Sequence, residues 1–153
     1  MLSSASMNFA QLFGRLHPLV LHFPIALIML AAVVEAARLK WDRPALAQLV
    51  PFLLATGALG ALVASATGWV FAHDYFPPPS DGWMLNWHRW LGISTTVLAG
   101  ISAWISSQRA YALRTRDRWL RRSAVWLTAI ILTVTAHLGA LMVWGADYFN
   151  PTT

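Results

Sequence analysis

Residues 16–37 read LHPLVLHFPIALIMLAAVVEAA, a stretch whose first ionised side chain at neutral pH is Glu35. A bilayer's hydrocarbon core, about 30 Å thick, is crossed by roughly 20 helical residues rising 1.5 Å each. This segment is therefore long and apolar enough to span it. Runs of the same kind follow at residues 44–72, 86–106 and 123–146, interrupted only by Arg89. Of the 153 residues, 58% are hydrophobic and 11% charged, against about 45–50% and about 25% in soluble domains. The composition argues against a water-soluble globule. It predicts an all-α fold: a four-helix transmembrane bundle forming one domain over residues 1–153, with helices at about 16–39, 44–73, 82–108 and 119–146.

The few charges orient the bundle. Arg38, Lys40 and Arg43 lie between the first two spans, and Arg109, Arg114, Arg116, Arg118, Arg121 and Arg122 between the last two, whereas only Arg15 and Arg89 fall on the opposite side. Cytoplasmic loops carry such an excess of Lys and Arg. Both termini and the loop at residues 73–85 are thus expected on the outer side, facing the periplasm if the chain sits in a bacterial inner membrane. The basic 109–122 segment then serves topology and contact with lipid headgroups, and no nucleic-acid partner is expected. Met1 to Gly14 lacks the basic start of a cleavable leader. It reads as a short amphipathic piece lying at the interface around Phe9, Leu12 and Phe13.

Proline and small residues set the local expectations. Pro18 suits a first helical turn, while Pro24 withholds the N–H that would bond the Val20 carbonyl, so the first span is expected to bend near His22. Pro77-Pro78-Pro79 ends the second span, and Ser80 or Asp81 can cap the third. Trp41, Trp83, Trp87, Trp119 and Trp144 fall at span ends as an aromatic belt. Rows at four-residue spacing, Gly60/Ala64/Gly68, Gly92/Thr96/Gly100 and Ala136/Ala140, allow helices to approach closely or leave room for a flat ligand. Two short repeats hint at a two-hairpin origin. Leu59-Gly60-Ala61-Leu62 recurs at residues 138–141, and Asp74-Tyr75-Phe76 at residues 147–149, but at different offsets.

No Cys is present, so thiolate metal sites, iron–sulfur clusters and thioether-linked haem are excluded. The polar exceptions within the spans are histidines. His17 and His73 sit at outer span ends, and His22, His88 and His137 lie about 7, 9 and 12 Å inward on three different helices. Ionisable groups at membrane depth are functional candidates by default. Imidazole ligation suits haem iron, copper or zinc. Haem b is favoured, because a porphyrin needs only two axial ligands and bundle interiors accommodate cofactors. If the spans alternate up and down, spans one and three are diagonal, and His22 with His88 is the expected pair. His137 is the alternative ligand or a supporting donor, and Gly92 borders the ring. His17 can bond a propionate or a quinone head group, and Arg15 or Arg89 can neutralise a propionate.

The run Arg15-Leu16-His17-Pro18-Leu19-Val20-Leu21-His22-Phe23-Pro24-Ile25-Ala26, with His88-Arg89-Trp90-Leu91-Gly92 and His137-Leu138-Gly139, resembles the small four-helix bacterial membrane proteins catalogued as a domain of unknown function. Similar segments form the membrane part of predicted membrane-anchored c-type cytochromes. The resemblance covers nearly the whole chain and matches the family's histidines to His17, His22, His88 and His137. It implies a partner in respiratory or photosynthetic electron transport. Ala140 replaces the second glycine after the last His, Trp144 replaces a further His, and no Cys-x-x-Cys-His is present.

These readings combine into an expected membrane electron-transfer subunit with haem b near its periplasmic face. It would work within a larger complex, between the quinone pool or a donor subunit and a periplasmic carrier such as a c-type cytochrome. Two alternatives stand beside it. One is a cofactor-free accessory subunit of such a complex. The other is an enzyme with copper or zinc on His22, His88 and His137, although Asp74, Asp81 and Asp147 read as outer-loop caps rather than bases. Glu35 is expected to snorkel beside Arg38.

Overall fold

The computed structural model describes residues 8–41, 43–75, 82–108 and 115–145. Among them the secondary structure is helical: α1 (Phe9–Arg15), α2 (His17–Val20), α3 (His22–Ala37), α4 (Pro44–Tyr75), α5 (Trp83–Gln108) and α6 (Thr115–Trp144). Four stretches, Phe9–Ala37, Pro44–His73, Trp83–Gln108 and Thr115–Trp144, are long and apolar enough to cross a membrane. Only 22–39% of the residues in their most apolar windows are buried inside the bundle. The remaining apolar surface, including Leu19 and Val143 at 73% exposure, needs a lipid environment.

The first span begins earlier than its hydropathy predicts. Asn8 Oδ1 accepts from the Gln11 N–H at 2.8 Å while the Asn8 N–H donates to Gln11 Oε1 at 3.2 Å, a reciprocal cap that starts α1. α1 packs on α4. At Gly14 the contact is so close that a Cβ would stand 2.9 Å from the Phe71 backbone nitrogen. The helix is interrupted at Leu16 and again at Leu21, two and three residues before Pro18 and Pro24. Each proline removes a donor from the carbonyl four residues back. The Leu16 N–H turns back to the Phe13 carbonyl at 3.3 Å. Next to His22, where the first span is expected to bend or loosen, the helix is interrupted at Leu21, whose own backbone stays in the right-handed helical region.

α3 packs on α4, α4 on α5, α5 on α6, and α6 returns to α3. The spans thus run up and down around a ring, and spans one and three are diagonal. The interior is filled by small apolar side chains, with Ala31, Ala32, Val50, Leu54, Val125 and Ala129 in one cluster and Ile28, Ala99 and Leu132 in another. Their size lets backbones approach where no hydrophobic driving force separates helix from lipid. Hydroxyls join neighbouring helices: Ser102 Oγ and Thr128 Oγ1 lie 2.8 Å apart, and Ser65 Oγ and Thr96 Oγ1 3.3 Å. Such interhelical pairs contribute about 0.6 kcal/mol on average.

Glu35 does not snorkel. It is 1% exposed, and its carboxylate accepts from Arg38 Nη1 at 3.2 Å, Arg121 Nη2 at 2.9 Å and Arg122 Nε at 3.3 Å. Arg121 is itself 2% exposed. Its charge can be buried there because it is paired and hydrogen-bonded. This cluster ties α3 to α6 at one end of the bundle. Pro77-Pro78-Pro79, the Ser80 and Asp81 caps, the 109–114 part of the basic loop and Asp147-Tyr148-Phe149 lie outside the described residues.

Candidate functional site

Two histidines meet at the opposite end. His17 projects from α2 and His88 from α5. Their ring centres are 6.4 Å apart with planes at 84°. Each ring is held the same way. His17 Nδ1 lies 2.9 Å from the Ala64 carbonyl of α4, and His88 Nδ1 lies 2.9 Å from the Thr135 carbonyl of α6. A carbonyl has no proton to give, so Nδ1 donates in both cases and the neutral ring leaves a lone pair on Nε2. An Nδ1–H bonded to a backbone carbonyl is the usual support of a metal-ligating imidazole.

Glycine makes these contacts possible. A Cβ at Gly68 would stand 2.7 Å from His17 Cε1, and one at Gly139 would stand 3.0 Å from His88 Cε1. Both glycines follow the accepting carbonyl's residue by one helical turn. The ring settles into the space the missing side chain leaves and reaches the carbonyl behind it. His17 is further packed by Phe71, with ring centres 6.1 Å apart, and Thr67 Oγ1 lies 3.5 Å from its Nδ1. One turn along α5 from His88, a Cβ at Gly92 would meet nothing closer than Ser65 Oγ and Thr135 Cγ2, both at 3.9 Å.

The remaining candidates are distributed differently. His22 and His137 have exposed side chains, and among the described residues no three metal-ligating side chains gather. The three-histidine site expected from His22, His88 and His137 is therefore not assembled. Spans one and three do supply the facing pair, but through His17 in place of His22. Arg89 places its guanidinium 4.9 Å from the centre of the Trp69 ring on α4. Its Nε is buried with no hydrogen-bond partner among the described residues. Arg15 is exposed. The role of Gly68 and Gly139 in seating the two rings was not readable from the sequence, where Gly68 stands in a row of small residues and Gly139 in the His137-Leu138-Gly139 motif.

No protein of the curated set and no solved structure matches the chain. A family model does, across residues 15–148. That span contains every helix from α2 onward and both histidine notches, and the chain accordingly belongs to the predicted membrane protein family DUF2231.

Proposed function

We propose that the chain is a membrane electron-transfer subunit that binds a b-type haem between His17 and His88. The carrying observation is the ring separation of 6.4 Å. Two imidazoles on opposite sides of one metal, at bonds of about 2.0–2.1 Å, would have ring centres about 6–6.5 Å apart. The Nδ1–H bonds to Ala64 and Thr135 leave both Nε2 atoms as donors of electron pairs. A bound haem would supply a one-electron couple inside a low-dielectric bundle. Gly92, one turn from His88, brings Ser65 and Thr135 close to that face of α5, and the buried, unbonded Nε of Arg89 suits a propionate. With both termini outward, the site lies in the outer half of a bacterial inner membrane. It then faces a periplasmic c-type cytochrome or the quinone pool, within a larger respiratory or photosynthetic complex.

The test is a pyridine haemochrome assay on the purified chain. One haem b per chain is expected, lost in both His17→Ala and His88→Ala. Absence of stoichiometric iron would reject the proposal. It would favour a second reading, a cofactor-free accessory subunit, supported by the fact that each Nδ1 already has a backbone partner. In that case the pair braces the bundle without a ligand.

A further inference from the structure

The two histidine notches are one arrangement met twice. Each histidine stands 47 residues before the carbonyl it bonds, and each glycine follows that carbonyl's residue by four. A shift of 71 residues carries His17, Ala64 and Gly68 onto His88, Thr135 and Gly139. The same shift carries buried positions onto buried positions: Ile28 onto Ala99, Ala31 onto Ser102 and Leu54 onto Val125, none more than 1% exposed. It also relates Arg38 to Arg109 and Arg43 to Arg114 in the sequence. Both hairpins cross in the same order, so they are parallel repeats of the kind related by an axis along the membrane normal.

We infer that the chain is a tandem repeat of one helical hairpin, and that its centre holds two equivalent half-sites. In each, the hairpin's own glycine notch holds its histidine with Nδ1 protonated and Nε2 bare. Gly68 and Gly139 are positioning residues: they act through the rings they seat. The site presents two nitrogen lone pairs, so it takes an electron-pair acceptor such as a metal centre and does not take an anion. Identifying that acceptor as haem iron rests on the proposed function, whereas the equivalence of the half-sites does not.

The experiment uses the full chain in detergent with 15N-labelled histidine. The sample is reduced with dithionite so that a low-spin ferrous centre is diamagnetic, and its haem content is measured. Two imidazoles are expected to show a proton bonded directly to Nδ1, one signal vanishing in His17→Gln and the other in His88→Gln. Gly68→Ala should displace only the His17 signal, and Gly139→Ala only the His88 signal. An Nε2–H tautomer at either residue would overturn the inference, as would Gly139→Ala shifting both signals equally. The tautomers are read in the unsubstituted protein, so a variant that fails to fold does not remove the test. Two Nδ1–H signals in a sample without haem would uphold the half-sites and reject the haem.

Discussion

Glu35 Oε1 and Arg121 Nη2 lie 2.9 Å apart, although their residues are separated by 86 positions and belong to different hairpins. Both side chains are almost completely buried. Removing one member of such a pair leaves a desolvated charge, at a cost of about 3–5 kcal/mol. Glu35→Gln should therefore lower stability by that amount in a denaturant titration. Arg122→Ala, which removes a side chain 17% exposed at the edge of the cluster, should cost about 1 kcal/mol or less. Equal losses in the two variants would show that the carboxylate is not the centre of the cluster.

Pro24 shapes the site from a distance. It removes the N–H that would bond the Val20 carbonyl, at the break between α2, whose His17 sits against Gly68, and α3. In an unbroken helix His17 and His22 are about 140° apart at 100° per residue. Pro24→Ala restores a donor for the Val20 carbonyl and favours one continuous helix. Haem retention on purification should fall while thermal stability is unchanged or higher. Full retention would mean that Pro18 and the packing of α1 on α4 orient His17 by themselves.

The histidines divide into two classes by environment. His17 and His88 are half-buried and bonded to backbone carbonyls, while His22 and His137 are exposed. His22→Ala and His137→Ala should leave the haem content within about twofold of the unsubstituted protein. Exposed substitutions usually change stability by no more than about 0.5 kcal/mol. Loss of haem in His22→Ala with retention in His17→Ala would restore the pairing that depth alone suggests.

Apolar runs and proline positions made the spans, their up-and-down order and the helix break beside His22 legible, because each follows from length and local backbone chemistry. The choice between His17 and His22 was not legible. It depends on tertiary placement: His17 meets Ala64 and Gly68 of α4, whereas His22, about 140° further round the helix, is exposed. The burial of Glu35 is likewise tertiary: snorkelling beside Arg38 is a local expectation, whereas Arg121 comes from α6 and is brought by packing. The repeat was obscured because the most visible sequence copies, LGAL and DYF, fall at other offsets. The 71-residue relation rests on few identities and chiefly on the pattern of burial.

Orientation bears directly on the site's partners. The histidine pair lies toward the starts of spans one and three and the ends of α4 and α6, the end opposite the Glu35 cluster. Nine of the 11 Lys and Arg residues belong to the other side, and the positive-inside bias predicts that this side faces the cytoplasm. A phosphatase fused after Thr153 should therefore be active, and a fluorescent protein at the same point dark. A reporter inserted between Lys40 and Arg43 should behave in the opposite way. With that outcome the His17–His88 pair faces the periplasmic half of the membrane, within reach of an outer carrier. The reverse outcome would put the pair on the cytoplasmic side and exclude a periplasmic cytochrome as its direct partner.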